Sequence, residues 1–299
     1  MPELPDVTVY VEALAERVSG RCLERVSVRG PFLMRSVAPP VNAVEGRTVV
    51  GVRRVGKRVC IGVEGGLWLA IHLMIAGRLH WKPTPPKATD RRVLAVFTFD
   101  SGVLTLTEAG TQHRASLHVV EGDAGLHALD AGGIDVLAAT PEEFAAMLRV
   151  ENHTLKRSLT DPRLFSGIGN AYSDEILWAA RLSPVALTQR LGEAEAAELF
   201  RATRSVLTEW IARLRAEARG KFPEKVTAFR EGMAVHGRYG EPCPRCGTKV
   251  QRIRYASNET NYCAPCQTGG KLLADRGLSR LLKADWPKTL EEMEGLKRK

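Results

Sequence analysis

The sequence predicts an α+β protein of several domains, with an N-terminal helix and an antiparallel β-sandwich followed by a helical region and a cysteine-bearing module. Short runs of β-branched and apolar residues, separated by Gly, Pro or Asp-Ser, follow one another between residues 26 and 107. After a Gly- and Ala-rich stretch at residues 122–133 the pattern changes to helical periodicity. Four of the six cysteines come later still, as two Cys-x-x-Cys pairs. A chain of 299 residues also exceeds the size that one hydrophobic core commonly serves.

The first element is a helix that opens the chain. Asp6 is its predicted N-cap, and Val7, Val11 and Leu14 recur behind it at helical spacing. Gly20 is predicted to end this helix. Strands follow, and their regular spacing is typical of an antiparallel sandwich. The predicted strands are residues 26–28, 48–55, 59–63, 67–73, 93–99 and 103–107.

The second half of the chain is predicted to be mainly helical. Thr140 caps a helix that begins at Pro141 and is expected to reach Val150, with two glutamates in its first turn. A long helical stretch follows at residues 191–219, where no proline interrupts the pattern. The expected boundaries are a β-sandwich domain at 1–122, a linker at 123–136, a helical domain at 137–236, a cysteine module at 237–268 and a tail at 269–299.

The composition favours a polyanionic partner. Lys and Arg outnumber Asp and Glu by 43 to 34, which gives a net charge of +9 and a pI near 9.4. This balance fits nucleic acid or an acidic membrane surface. The sequence has no apolar run long enough to span a membrane, and its first residues carry Glu3 and Asp6 in place of a basic and then apolar secretory signal. We therefore expect a cytoplasmic protein with no membrane partner.

The strongest single pattern is Cys243-Pro-Arg-Cys246 followed, after sixteen residues, by Cys263-Ala-Pro-Cys266. Four thiolates at this spacing can close a tetrahedral zinc site, and four sulfur ligands leave no open position for catalysis. Two disulfides are the alternative, which the absence of secretory features disfavours. The pattern predicts one structural Zn2+ ion, with Arg252 and Arg254 on a hairpin between the pairs and well placed for phosphates.

A glycine-containing loop forms the second pattern. Gly167-Ile-Gly169-Asn170-Ala-Tyr172 precedes a helical stretch, and backbone N–H groups exposed before a helix can hold a phosphate. Lys156 and Arg157 lie just upstream and favour that interpretation, whereas a tight turn between helices is the plain alternative. The spacing fits neither a Walker loop nor a dinucleotide fingerprint, which disfavours a nucleotide cofactor.

The third pattern is the terminus, Met1-Pro2-Glu3-Leu4-Pro5-Asp6. Removal of Met1 exposes Pro2 as a secondary amine with a pKa of about 8, so that a useful fraction is neutral at physiological pH. Such an amine can attack a sugar C1′ to give an iminium, and Glu3 is placed to act as an acid or base. The alternative is that Pro2 and Pro5 only stiffen the entry to the first helix.

Taken together, these patterns resemble the formamidopyrimidine-DNA glycosylase / endonuclease VIII family. The resemblance covers roughly residues 1–267 and runs in the family's order. Its motifs are Pro2-Glu-Leu-Pro-Asp6, Gly56-Lys57-Arg58, His72-Leu73, Thr154-Leu-Lys156, Gly167-Ile-Gly-Asn-Ala-Tyr172 with Asp174-Glu175, and the four cysteines. The resemblance implies a helix–two-turns–helix domain with a C-terminal four-cysteine zinc finger after the sandwich.

The resemblance also implies a function and the residues that serve it. It implies a bifunctional DNA glycosylase and AP lyase of base excision repair, which removes damaged, oxidised bases and cuts the strand by β,δ-elimination. Pro2 is then the Schiff-base nucleophile, Glu3 the catalytic acid/base and Lys57 a further residue of the catalytic site. Lys57 and Asn170 hold phosphates beside the lesion, and Lys156 assists near the site. The implied partner is damaged double-stranded DNA, bound by a cytoplasmic monomer, nucleoid-associated if bacterial.

Departures from the family pattern concern the recognition of bases. The finger position that usually carries an arginine is Asn258, whose amide cannot replace a bidentate cation. Met74-Ile75 stands where members have a glycine and a methionine wedge, and either residue can fill the vacated stack. Segment 220–235 is shorter than the usual loop over oxidised guanine, and the tail has no counterpart.

The hairpin that normally supplies an arginine and a phenylalanine is Gly110-Thr-Gln-His-Arg-Ala-Ser116, so that Gln112, His113 or Arg114 is expected to fill the gap opposite the extruded base. Two alternatives to the leading interpretation follow from these departures. One is a damage-binding protein of the same fold with weak or no excision. The other is a glycosylase with the same chemistry for an unusual bulky or cross-linked lesion.

Overall fold

Two compact units make up the chain. Unit 1 comprises residues 1–131 and 209–228, and unit 2 comprises residues 132–208 and 229–299. In the described part of the chain no helix has both the length and the apolar character needed to cross a membrane. The computed structural model describes residues 1–109, 112–224, 226–227, 229–255, 258–274, 287–290, 292 and 295.

Helix α1 (Leu4–Val18) opens unit 1 and begins before the predicted N-cap. The prediction that Asp6 caps the helix is wrong, because Glu3 is the N-cap and Asp6 lies in the first turn. The Oδ2 atom of Asp6 accepts the Glu3 N–H at 2.9 Å. Pro5 explains the early start, since a proline in the first turn needs no partner for its missing N–H. The helix ends just before Gly20, which has a φ of +72°.

Eight strands form the rest of the unit 1 framework. The strands β5 and β8 are not among the strands predicted from the sequence. Both lie at an edge of the sheet, and in β5 the polar Arg78, His80 and Lys82 alternate with less polar residues. The strands are β1 (Cys22–Val28), β2 (Arg47–Val55), β3 (Arg58–Val63), β4 (Leu67–His72), β5 (Gly77–Lys82), β6 (Val93–Phe99), β7 (Gly102–Glu108) and β8 (Ser116–Glu121).

The predicted sandwich is one continuous antiparallel sheet in the order β5-β7-β6-β1-β2-β3-β4-β8. The central link between β1 and β2 is short, with two residues of each strand in register. Both halves of the sheet contribute to a single core, with Ile61 and Leu69 from one half and Phe97 and Leu106 from the other. Helix α1 packs into the same core through Tyr10, which is fully buried. The short link thus lets one sheet provide both layers.

The outer face of the β3–β4–β8 half carries a second, smaller apolar cluster. Part of the predicted linker folds as helix α2 (Gly122–His127), since Leu126 packs there against Cys60 and Ala70. The guanidinium of Arg58 donates to the carbonyl of Leu129 at 2.8 Å beside this cluster. These contacts tie the linker's first part to unit 1.

Unit 2 contains the predicted helices and the cysteine module. Thr140 caps the helix that begins at Pro141, as predicted, and its hydroxyl accepts the Glu143 N–H at 3.2 Å. The long helix has its predicted extent within a few residues, and its part from residue 209 onward belongs to unit 1. The elements are α3 (Pro141–Arg149), α4 (Leu155–Thr160), α5 (Asn170–Ala179), α6 (Glu193–Ala218), β9 (Gln251–Tyr255), β10 (Asn258–Tyr262) and α7 (Ala264–Thr268).

The described part of the tail packs on the β9–β10 hairpin. Leu272 is buried against Ile253 and Tyr262, and its N–H donates to the carbonyl of Lys288 at 3.1 Å. The Leu273 N–H donates to the hydroxyl of Tyr262 at 2.8 Å. These residues therefore complete a core on the finger, whereas most of the rest of the tail lies outside the described residues.

Candidate functional site

The N-terminus of α1 is a buried polar site. Pro2 is buried and Glu3 is 2% exposed. Burial lowers the pKa of the Met1 α-amino group, with Glu3 opposing the shift and Arg78 and Lys57 adding to it. A lowered pKa increases the fraction of neutral amine at a given pH, and only the neutral form is a nucleophile. The surroundings therefore favour amine chemistry at this end of the chain.

Lys57 projects from the turn between β2 and β3. The register pairs Val55 with Arg58, which leaves Gly56 and Lys57 as a two-residue hairpin turn. Such a turn needs a positive φ at its first position, and Gly56 has a φ of +58°. The glycine thus fixes the path of the chain that brings Lys57 to the amine.

Two histidines lie close to this turn on the outer face of the sheet. Burial, with the cations Arg58 and Lys57 adding to its effect, lowers the pKa of His72 to about 4. The pKa of His118 is lowered for similar reasons, by burial and then by Arg58 and Arg35. His72 is therefore neutral at pH 7 and can serve as a hydrogen-bonding group beside Lys57.

The turn between β4 and β5 presents one exposed apolar side chain. The Gly77 N–H donates to the carbonyl of Leu73 at 2.9 Å, and a side chain at Gly77 would collide with that oxygen. Met74 has a left-handed φ of +52°, a conformation that favours glycine. Ile75 is 59% exposed at the tip of the turn, and Arg78 donates to its carbonyl at 3.1 Å. Of the two predicted wedge residues, Ile75 is the more exposed.

The β7–β8 connection presents Gln112, His113 and Arg114, all exposed. Glu108 is 2% exposed and accepts the N–H groups of Arg114 and Ala115 at 3.0 and 3.2 Å. This carboxylate holds the base of the loop, while Gly110 and the following residue lie outside the described residues. That one of these three side chains fills the gap in the DNA opposite the extruded base stays a prediction.

The shortened segment after α6 is anchored in unit 1. Phe222 and Val226 are buried in its core, and the Phe222 ring lies 5.6 Å from the ring of Tyr10. Between them in sequence, the Glu224 carboxylate lies 2.6 Å from the Nδ1 atom of His80. Phe222 and Val226 are therefore part of the unit 1 core and do not belong to an open loop.

In unit 2, Lys156 and Asn170 meet at the start of α5. The Nζ atom of Lys156 donates to the carbonyl of Asn170 at 2.6 Å and to Asp174 at 2.5 Å. The side-chain amide of Asn170 donates to the carbonyl of Glu259 at 3.0 Å. The glycine-containing loop, the helix after it and the finger hairpin are thus joined by hydrogen bonds.

Two adjacent carboxylates of α5, Asp174 and Glu175, were not among the predicted site residues but hold several groups of unit 2 together. Glu175 accepts the N–H groups of Ala234, Val235 and His236 at 2.7 to 2.9 Å, and burial raises its pKa. Asp174 contacts Lys156 and the ring of His236. The signal was present, since two acidic residues side by side in an otherwise apolar helix are rarely placed there without partners.

The four cysteines of the module come together as predicted. Their Sγ atoms all lie within 4.8 Å of one another, with Cys243 to Cys266 at 4.0 Å and Cys246 to Cys263 at 3.4 Å. Tetrahedral zinc with Zn–S bonds of about 2.3 Å needs sulfur atoms roughly 3.8 Å apart. The donor set therefore fits one structural zinc ion, and Trp178 donates its indole N–H to Cys243 at 3.3 Å.

The finger hairpin carries its basic residues on a defined face. Arg252 stacks on the ring of Tyr239 at 4.1 Å and lies 3.5 Å from Glu259. Arg254 pairs in register with Glu259, and Asn258 is exposed at the start of β10. The arginines thus share a face with Glu259, whereas Asn258 lies on the other face of the strand.

The sequence matches three family models, one after another along the chain. The formamidopyrimidine-DNA glycosylase N-terminal domain matches residues 1–112, the H2TH domain of that enzyme residues 135–219, and the zinc finger found in FPG and IleRS residues 240–269. The formamidopyrimidine-DNA glycosylase of Thermus thermophilus is 34% identical over 278 residues, which cover 90% of this chain and 100% of the relative. That of Carboxydothermus hydrogenoformans is 32% identical over 277 residues, with 89% and 100% covered.

Solved structures agree with the sequence matches. The MutM (Fpg) protein from Thermus thermophilus has a TM-score of 0.72 at 31% identity, with 89% of this chain and 98% of that chain covered. Lactococcus lactis Fpg in complex with Fapy-dG-containing DNA shares the fold, with a TM-score of 0.79 at 24% identity and 89% and 100% coverage. A helix-and-sheet domain followed along the chain by an H2TH domain and a four-thiolate finger defines a DNA-repair glycosylase with a structural zinc site. The chain belongs to the formamidopyrimidine-DNA glycosylase family, whose enzymes are DNA glycosylases and AP lyases.

Removal of the zinc ion is expected to weaken binding to abasic-site duplex DNA by about tenfold or more, because a finger of this kind loses its fold without metal. The β10 strand would then no longer hold Asn170 through the carbonyl of Glu259. Fluorescence anisotropy before and after chelation measures the change, and added zinc should restore the affinity. Equal affinity of the metal-free protein would contradict the prediction.

Proposed function

We propose that this glycosylase is bifunctional and removes oxidised bases from double-stranded DNA through Pro2, after which it cuts the strand at the abasic site. The observation that carries the proposal is the buried N-terminus, where the pKa of the amine is lowered and Glu3 and Lys57 are close by. Relatives with the same domains are named formamidopyrimidine-DNA glycosylases. Solved neighbours are complexes with DNA that contains Fapy-dG or an oxidised pyrimidine.

The reaction follows from the chemistry of a secondary amine. With Met1 removed, the neutral Pro2 nitrogen attacks C1′, and the bond from C1′ to the base breaks as Glu3 supplies or relays a proton to the departing base. The sugar ring then opens at the C1′–O4′ bond: the nitrogen lone pair forms the C1′=N double bond, and O4′ takes up the proton that the amine released. The product is an iminium, whose positive charge acidifies the hydrogen on C2′. Loss of that proton expels the 3′ phosphate by β-elimination, and δ-elimination then expels the 5′ phosphate. Hydrolysis of the remaining iminium frees Pro2.

DNA contacts are divided between charged and neutral groups. Lys57 and Asn170 hold phosphates beside the lesion, and Lys156 supports Asn170 through its carbonyl. Arg252 and Arg254 offer cationic contacts on the finger hairpin, where Asn258 contributes an amide only. Binding of this kind weakens steeply with salt, because each neutralised phosphate releases counterions. The enzyme acts as a monomer on DNA within the cytoplasm, in the nucleoid if the cell is bacterial.

Ile75 is the residue that we assign to the space left by the extruded nucleotide. Its replacement by alanine is expected to slow single-turnover excision about tenfold, because the wedge that offsets lost stacking is shortened. Met74→Gly is the matched control in the same turn, since glycine accepts the φ of +52° without strain. An Ile75→Ala enzyme as fast as its parent, or a Met74→Gly enzyme slowed equally, would contradict this assignment.

The short segment after α6 favours one second candidate, a glycosylase for bulky or cross-linked lesions. Because Phe222 and Val226 are buried in the unit 1 core, the segment has fewer residues free to close over a base. A lesion panel tests the choice, with single-turnover excision measured on oxidised purines, oxidised pyrimidines, a bulky adduct and an undamaged duplex. Fast excision of oxidised bases supports the proposal. Preference for the bulky adduct selects the second candidate, and binding without excision selects a damage-binding protein.

A further inference from the structure

A buried polar relay joins three segments of unit 2. The Nδ1 atom of His236 lies 2.8 Å from Oδ2 of Asp174, whose other oxygen accepts the Lys156 ammonium at 2.5 Å. Asp174 is 1% exposed and His236 is 5% exposed. Burial of an ion pair costs desolvation energy that the mutual attraction barely offsets, so stability alone does not account for the relay. Its geometry points to a role in placing a neighbouring group.

That neighbouring group is Asn170. Lys156 donates a second hydrogen bond to the Asn170 carbonyl at 2.6 Å, so the relay ends at the first residue of α5. The side-chain amide of Asn170 donates to the Glu259 carbonyl at 3.0 Å. An amide nitrogen carries two hydrogens, and the second is suited to a phosphate oxygen. Lys156 therefore holds the main chain of Asn170 at the start of α5, and β10 holds its side-chain amide.

His236 is itself held in one orientation. Its main-chain N–H donates to Glu175 at 2.9 Å, and its ring stacks on Phe229 at 5.7 Å between centroids with planes 15° apart. Both oxygens of Asp174 act as acceptors, since the second also receives the Asn261 N–H at 3.1 Å. The Nδ1 atom of His236 is therefore the donor of this hydrogen bond. Because the Nδ1 atom of His236 is fixed, it holds the Asp174 carboxylate in place, and that carboxylate in turn holds Lys156.

We propose that His236 is a positioning residue, which acts through Asp174 and Lys156 to hold Asn170 in the orientation that binds a DNA phosphate beside the lesion. This inference rests on the proposed function, because it assumes that Asn170 contacts the DNA. His236 touches neither the DNA nor the reacting atoms, and its effect is therefore on affinity. The rate of the chemical step at saturating enzyme should stay unchanged.

Two amide variants of His236 test the proposal. Asparagine places its amide nitrogen near the position of Nδ1, whereas glutamine places it near Nε2. We expect His236→Asn to bind abasic-site duplex DNA with the affinity of the parent. His236→Gln should bind about tenfold more weakly, a change that corresponds to about 1.4 kcal/mol of binding free energy. Anisotropy gives the affinity, single-turnover cleavage at saturating enzyme gives the rate, and zinc content with melting temperature verifies that each variant folds.

The same pair in an Asn170→Ala background separates positioning from general stability. If His236 acts through Asn170, then His236→Gln should cause no further loss of affinity once the amide is gone. Equal affinity of the two amide variants, or a tenfold loss that persists in the Asn170→Ala background, would overturn the proposal. If the proposed function is wrong, the result is different: the parent protein itself neither cleaves abasic-site DNA nor binds it in preference to undamaged DNA.

Discussion

Replacement of Pro2 by glycine, in protein from which Met1 has been removed, is expected to lower borohydride trapping on abasic-site DNA by at least about a hundredfold. Proline offers a secondary amine, whose adduct with C1′ is a permanently charged iminium. Glycine offers a primary amine, whose imine must first be protonated, and it lacks the ring that restricts the backbone ahead of α1. Covalent yield on denaturing gels is the measurement, with the N-terminal mass of each protein determined beforehand.

Pro5→Ala is the matched control for this prediction. It removes the second proline of the same stretch and leaves the terminal amine untouched, so trapping should stay near the parent level. Protein that retains Met1 should give no adduct through Pro2, because the Pro2 nitrogen is then part of a peptide bond. Trapping by Pro2→Gly protein at the parent yield would show that the secondary amine of proline is not required, and a Lys57→Ala exchange would then tell whether the terminal glycine amine or Lys57 forms the adduct.

The pH dependence of borohydride trapping tests whether a lowered pKa of the terminal amine underlies its reactivity. Burial lowers the pKa of the Met1 amine, with Arg78 and Lys57 adding to the shift, and the Pro2 amine exposed by processing takes over these surroundings. For a base, a lowered pKa means that the neutral form is reached at lower pH. The trapping rate should therefore rise with pH and level off below the value of about 8 expected for an unperturbed terminus.

Much of this architecture could be predicted from sequence, because its signals are local. The four cysteines lie at a spacing that permits one metal geometry, and Thr140 with Pro141 marks a helix start by rules that involve a few neighbouring residues. Asp6 shows the limit of such rules. Asp6 is the residue type that the rules favour, but the helix begins at Leu4 with Glu3 as its N-cap, and Pro5 in the first turn fits this earlier start.

The parts that could not be predicted depend on partners distant in sequence. His236 lies 62 residues from Asp174, and the short segment around Phe222 packs on Tyr10, far away along the chain. No periodicity in either segment indicates these contacts. The edge strand β5 is a different case, because Gly77-Arg-Leu-His-Trp-Lys82 alternates polar with less polar residues and so carries the local pattern of a half-exposed strand. The sequence thus identified chemical groups, while the fold decides which groups support them.

Glu3→Gln is expected to slow base excision by about a hundredfold to ten-thousandfold, the range that a positioned acid or base contributes. Glutamine has nearly the same shape, and the Glu3 N–H can still donate to Asp6, so the start of α1 should be preserved. The loss should therefore appear in the single-turnover rate and leave DNA affinity close to the parent value. Rates on an oxidised-base duplex at saturating enzyme, with affinities from anisotropy, separate the two.

Asp6→Asn provides the control for charge in the same helical turn. It removes one buried carboxylate, while the asparagine oxygen can still accept the Glu3 N–H. If the proton of Glu3 matters, Asp6→Asn should keep most of the excision rate, whereas a loss equal to that of Glu3→Gln would assign the effect to the field of the carboxylates. An unchanged rate in Glu3→Gln would remove Glu3 from the reaction. The base would then have to receive its proton from elsewhere, and the lowered pKa of the amine would account for nucleophilicity alone.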